Sequence, residues 1–157
     1  MEMFFIFSAK YLYIASIAIA LIYFYRATPE IRKRMAVFAV IAFGLAFVLA
    51  TASRAVYDNP RPFAVGDLEP LIAHEADNGF PSDHTLLTAA IASLMLAFNI
   101  HIGIWLWLIA GIVGLSRVYA GVHHFADIIG SGLIAALSAA IAYAIIRLYG
   151  KRGQTGQ

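Results

Sequence analysis

Cysteine is absent from the 157-residue chain, which excludes disulfides and thiolate metal sites. Charge is scarce as well: Asp, Glu, Lys and Arg make up 13% of the residues, against roughly 25% in soluble domains. The 11 basic and 9 acidic side chains leave a net charge of +2, too small a surplus to suggest nucleic acid as a partner. The first residues, MEMFFIF, lack the basic start and small-residue cleavage site of a secretory signal. The first apolar stretch is therefore expected to be retained. Internal repeats, low-complexity tracts and interdomain linkers are also missing. What remains is 62% hydrophobic, the composition of an integral membrane protein.

Five apolar runs read as membrane helices, the first of them matching the ~20 residues a span requires. They cover Phe4–Tyr25, Met35–Ser53, Thr85–Ile102, Ile104–Leu115 with an extension toward Tyr119, and Ile128–Leu148. The last offers small surfaces for helix packing at Gly130, Gly132, Ala135, Ala136, Ala139 and Ala140. Lys10 lies near a helix end, where it can snorkel to the interface. Trp105, Trp107, Tyr11, Tyr13, Tyr23 and Tyr25 are expected to be interfacial or lipid-facing aromatics. The tail Lys151–Gln157 is polar and expected to fray. These features predict an all-α polytopic bundle in which residues 1–157 form one integral-membrane domain.

Basic residues set the expected orientation. Arg26, Arg32, Lys33 and Arg34 fill one short loop, and Arg147, Lys151 and Arg152 lie near the carboxyl terminus. The positive-inside rule assigns both to the cytoplasm. The remaining loops, Arg54–Asp83 and Arg117–Asp127, then share the outer side. Four of the five prolines, Pro60, Pro62, Pro70 and Pro81, interrupt the first of these loops. Its acids Asp58, Asp67, Glu69, Glu75 and Asp77 are expected to form a solvated face.

Chemistry concentrates in the same two loops. Ser116 and Arg117 precede His123 and Asp127, whose spacing of four would place them on one helix face. Asp127 could then accept from one ring nitrogen of His123 and leave the other free. Arg54 stands seven positions before Arg61-Pro62, and Pro81-Ser82-Asp83-His84 adds a hydroxyl and a second histidine. Three arginines suit a tetrahedral oxyanion, so the implied ligand is a phosphate. Ser82 is placed to cap the third span and to add its hydroxyl and the first helical amides to the anion site. Phosphoryl transfer needs an in-line nucleophile, charge neutralisation and a proton for the leaving oxygen. His123, the arginines and His84 fit those roles, with no metal or other cofactor required.

Taken in order, these segments resemble the signature of the type 2 phosphatidic acid phosphatase superfamily of membrane lipid phosphatases. That pattern is a basic residue, six residues and Arg-Pro; then Pro-Ser-x-His; then Ser-Arg, five residues, His, three residues and Asp. The resemblance implies His123, His84 and Asp127 as catalytic residues, and Arg54, Arg61, Ser82, Asp83 and Arg117 around the phosphate. Asp83 replaces the usual Gly, a form similar to that of the undecaprenyl-diphosphatase branch resembling the bacitracin-resistance protein. Arg54 stands where Lys is usual, and the frequent His-x-Pro is His123-His124-Phe125 here. Members commonly have six spans, so part of the amino-terminal region is expected to be lacking.

The resemblance implies an outer-leaflet lipid phosphate or diphosphate as substrate, first a polyprenyl diphosphate cleaved to monophosphate and phosphate. A phosphatidylglycerophosphate or phosphatidate phosphatase would use the same residues. A binder or transporter of anionic lipid would keep the arginines without needing His84 or His123. His123, His124 and Asp127 are competent zinc ligands, but nearby guanidiniums oppose a cation. His74, His101 and His124 are expected to be ordinary loop, interface or packing residues.

Overall fold

The computed structural model describes residues 1–66 and 68–152. Asp67 and the end of the tail, 153–157, fall outside the described residues. The described residues form six helices, in order α1 (Glu2–Arg26), α2 (Pro29–Val56), the short α3 (Pro62–Val65), α4 (Asp83–Phe98), α5 (Ile100–Tyr119) and α6 (Phe125–Arg152). Four are long and apolar enough to cross a membrane, and α4 is a shorter apolar helix.

α4 is the axis of the bundle. It packs against α1, α2, α5 and α6, while α2 also lies on α6 and α1 on α5. Every residue from Thr88 to Met95 is buried, so helices rather than lipid surround it. Sixteen residues give about 24 Å of helix, short of the ~30 Å hydrocarbon core. Ala89, Ala90 and Ala92 keep its surface narrow enough for its neighbours to approach closely. Met95 and Leu106 pack with Met35 and Ile91 toward the carboxyl end of α4.

Helix boundaries differ from the sequence expectation where capping, rather than hydropathy, decides them. The loop expected at Arg26–Arg34 shrinks to Ala27 and Thr28. Thr28 caps α2 through its hydroxyl on the Ile31 amide, and Pro29 opens the first turn without needing a donor. Arg32, Lys33 and Arg34 therefore lie on α2. A single residue, Asn99, ends α4 and starts α5, its carboxamide accepting from Ile102 N–H at 3.1 Å. Ile100–Ile102 consequently belong to α5, not to the third span. Three aromatics turn inward: Tyr13 stands edge-on to His84, Tyr23 donates to the Phe98 carbonyl, and Trp107 packs on the α4 core. Tyr11, Tyr25 and Trp105 stay exposed, as expected.

Candidate active site

α5 delivers the first arginine in its last turn, and the way that helix stops aims the first histidine. Gly121 has φ +75°, the left-handed conformation glycine adopts without steric penalty. Val122 N–H bonds the Arg117 carbonyl and Gly121 N–H the Val118 carbonyl, which is a Schellman stop. Val122, fully buried, locks the turn. The chain reverses and brings His123 back onto the guanidinium of Arg117, with 3.3 Å from Arg117 Nη2 to His123 Nε2.

His123 precedes α6 rather than lying on it, so its link to Asp127 does not come from two residues on one helix face. Asp127 sits in the first turn of α6, where its Oδ2 accepts the His124 amide at 2.8 Å. This is the return half of a capping box. The same oxygen accepts from His123 Nδ1 at 3.2 Å. The carboxylate thus caps a helix and orients an imidazole with one atom.

Arg61 arrives from the other loop, just ahead of α3. Its Nη1 donates to the Val122 carbonyl at 2.8 Å and faces His123 Nε2 at 3.2 Å. Two guanidiniums therefore meet one ring nitrogen. Arginine can only donate, so Nε2 is the acceptor and the proton resides on Nδ1 toward Asp127. His123 presents its lone pair between two cations. Arg61, Arg117, His123 and Asp127 are all at most 4% exposed. Burial holds the His123 pKa below its ordinary 6.5 against the upward pull of the Asp127 hydrogen bond, and Arg117 and Arg61 lower it further. The ring is neutral near pH 7 and available as a nucleophile.

The remaining expected residues lie around this centre. His84, in the first turn of α4, is within electrostatic range of Arg117, Asp83 and His123. Arg54 reaches the Pro81 carbonyl at 3.3 Å and forms an ion pair with Asp83. Asp83 thus turns toward a cation at the rim. Ser82 occupies the cap position of α4 but makes no side-chain cap. Its hydroxyl accepts from Thr85 Oγ1 at 3.2 Å, and its carbonyl accepts from Ser131 Oγ at 3.0 Å. The expected hydroxyl cap is absent: the hydroxyl bonds within the start of α4, and the carbonyl ties that start to α6. His124 directs Nε2 to the Pro60 carbonyl at 3.1 Å, away from Asp127, so the three possible zinc ligands do not converge.

Three loop residues with no role in the sequence reading join the cluster. Asn59 donates its amide to Asp127 Oδ1 at 2.7 Å. Asp77, expected in a solvated face, is exposed and also accepts from Arg61 Nε at 2.6 Å, and that hydrogen bond lowers its pKa below the usual carboxylate value. His74 lies 2.9 Å from Arg117 Nη2. Asn78 makes this convergence possible: its Oδ1 accepts from the Asn59 and Phe80 amides, and its Nδ2 donates to the Tyr57 carbonyl. Gly79 then passes so close to Asp127 that a Cβ would stand 3.1 Å from Oδ2. No spacing rule marks Asn59 or His74. Asp77 had one available signal, since a buried guanidinium requires a counter-charge.

Residues 35–151 match the PAP2 superfamily. The chain is 38% identical over 125 residues to the bacitracin transport permease protein BcrC of Bacillus licheniformis, covering 78% of this chain and 61% of that protein. It is 44% identical over 81 residues to undecaprenyl-diphosphatase BcrC of Bacillus subtilis, covering 51% of this chain and 42% of the relative. The chain thus spans less than two thirds of either relative's length. Its fold superposes on the crystal structure of Aquifex aeolicus LpxE with a TM-score of 0.74 at 26% identity, over 91% of this chain and 85% of the other. The similarity to the bacitracin-type branch agrees with Pro81-Ser82-Asp83-His84, and the apolar helices make this a multi-pass membrane protein. Arginines closing on one nitrogen of a carboxylate-held histidine, on a bundle shared with a solved relative and within a match spanning most of the sequence, place this chain in the PAP2 superfamily.

Proposed function

We propose that residues 1–157 form one catalytic domain that hydrolyses a polyprenyl diphosphate to the monophosphate and inorganic phosphate. The observation that carries this reading is the lone pair of His123 Nε2, held between Arg61 and Arg117 while Asp127 engages Nδ1. A mere lipid binder needs the guanidiniums but not an oriented nucleophile. The diphosphate substrate draws support from the name of the Bacillus subtilis relative.

His123 Nε2 attacks the terminal phosphorus, and the bond from phosphorus to the bridging oxygen breaks. Arg61 and Arg117 neutralise the equatorial oxygens. Arg54, fixed by Asp83, and the amino end of α4 at Ser82 receive the rest of the head group. His84 gives its proton to the departing lipid monophosphate, a protonation that the incoming phosphate charge favours. Water, deprotonated by His84, then attacks the phosphohistidine, releasing phosphate and restoring both rings. The arginines supply the charge that Mg2+ provides in other phosphoryl transfers, so turnover is expected to persist in chelator.

Purified protein should release phosphate from undecaprenyl diphosphate faster than from phosphatidylglycerophosphate or phosphatidate. A reversed order would assign the site to a glycerophospholipid, and vanadate binding with no release from any of the three would leave a lipid binder. His84→Ala sharpens the comparison. Loss of a general acid costs ~10² to 10⁴-fold, and the mutant should keep more of its activity on the diphosphate, whose leaving group is the better one.

We also propose that the basic end of the bundle is cytoplasmic and the site faces outward, with the carboxyl terminus inside. Arg32, Lys33 and Arg34 on α2 stand at the opposite end from His123, and basic residues favour the cytoplasm. In intact cells an impermeant thiol reagent should label Glu69→Cys and spare Lys33→Cys. The converse pattern would invert the protein.

A further inference from the structure

The loop between α3 and α4 hands one acceptor to each buried arginine. Asp77 meets Arg61 Nε, and His74 Nε2 meets Arg117 Nη2 at 2.9 Å. The loop is anchored rather than draped. Leu71 N–H donates to the Ala120 carbonyl at 3.0 Å, and Ile72, 4% exposed, packs with Ala9, Ala120 and Val122. The His74 ring itself is exposed and stands edge-on to His123, with centroids 6.1 Å apart.

Since a guanidinium cannot accept, His74 Nε2 must carry the lone pair and Nδ1 the proton. Arg117 Nη2 has two hydrogens, and two imidazoles take them: His74 at 2.9 Å and His123 at 3.3 Å. The Arg117 Nε is buried without a partner among the described residues, and Nη1 makes one long bond, 3.4 Å to the Ala9 carbonyl, so little besides the two imidazoles holds the guanidinium plane. From this geometry we propose that His74 is a positioning residue, whose neutral ring fixes Arg117 against His123 and whose protonation releases it, making turnover fall at acid pH. The inference rests on the assignment of Arg117 to the phosphoryl site.

A protonated His74 would turn an N–H toward an N–H of Arg117, losing the bond and adding repulsion between cations. The charged and titratable groups around it are Arg61 beside α3, Arg117 of α5, His123 of the α5–α6 link, Asp77 of its own loop and His84 of α4. Burial, then Arg61, Arg117 and His123, press its pKa below 6.5 against the opposing pull of Asp77. The neutral, positioning form therefore dominates at pH 7 and is lost as pH falls through that lowered pKa.

The experiment measures turnover on undecaprenyl diphosphate and calorimetric vanadate binding across pH, for the wild type, His74→Gln and His74→Ala. Glutamine retains an acceptor for Arg117 but does not titrate. On acidification the wild type should lose turnover more steeply than His74→Gln by one proton, because His123 and His84 titrate in both and His74 only in the wild type. His74→Gln should bind vanadate at pH 7 nearly as the wild type does and show the shallower acid limb. His74→Ala should weaken vanadate about tenfold, the scale of one hydrogen bond to a charged group, and lower kcat/KM to match. Unchanged vanadate affinity in His74→Ala, or an acid limb in His74→Gln as steep as that of the wild type, overturns the assignment. Vanadate binding that depends on His74 in a protein releasing no phosphate would refute the proposed hydrolysis and leave the role of His74 standing.

Discussion

His123→Gln abolishes both turnover and any acid-labile phosphoenzyme. His123 Nε2 is the nitrogen on which Arg61 and Arg117 converge, at 3.2 and 3.3 Å, and Asp127 holds the opposite ring nitrogen at 3.2 Å. Glutamine fills similar space and can still accept from a guanidinium, but its amide oxygen does not form a stable phosphoryl adduct. Loss of a nucleophile costs on the order of 10⁶-fold in enzymes where residues act as a unit. Vanadate binding should survive, because both arginines remain. Rapid quenching with a substrate labelled in the terminal phosphate separates the outcomes. A phosphoenzyme in His123→Gln, or one lost from His84→Ala and retained in His123→Gln, would move the nucleophile elsewhere. The pH dependence has a definite sign. Burial holds the His123 pKa below its ordinary value, so the reactive neutral ring persists through neutral pH and is lost only on acidification.

Asp127→Asn lowers kcat by about 10⁴-fold, the scale seen when an orienting carboxylate becomes an amide, with a much smaller change in lipid affinity. Asp127 is fully buried, and only donors face it: His123 Nδ1 and the His124 amide at Oδ2, and the Asn59 amide at Oδ1. An asparagine must turn its own NH2 against one of them. If the NH2 faces His123, the ring proton moves to Nε2 and the lone pair is lost. If it faces Asn59, that carboxamide must turn over to accept, and His123 Nδ1 keeps a neutral acceptor in place of a carboxylate. Neither arrangement keeps the negative charge that stabilises the ring as it takes up the phosphoryl group. Asn59→Ala removes one bond to a charged group and leaves the carboxylate, so a loss of about tenfold is expected. Steady-state kinetics with the arginines intact checks both variants. An Asp127→Asn enzyme that loses affinity while keeping kcat would make Asp127 a structural cap alone.

Legibility in the sequence differed among these residues for physical reasons. Arg61, Arg117, His123 and Asp127 stand out because ionisable groups beside apolar spans are costly unless they work or pair. Their spacing reflects local constraints, a helix end, a glycine turn and a helix start, that a few consecutive residues encode. The five apolar runs were likewise legible, since hydropathy alone separates them from the loops. Ser82 shows the limit of that reasoning. A serine ahead of a helix is ordinarily a cap, yet its buried hydroxyl is used by Thr85 Oγ1.

By itself the sequence determined the helical membrane bundle, the order of its spans and the four polar residues that meet at His123. Only the tertiary structure decided how those four are held. Asn59, His74 and Asp77 reach them from a loop more than forty residues away in sequence from His123, and Asn78 and Gly79 set that loop's approach. The same packing decided that the proton of His123 lies toward Asp127, because two arginines from different elements occupy the other nitrogen. The reason is that a side chain's partners across a folded loop depend on where the backbone turns, and no local period records that distance.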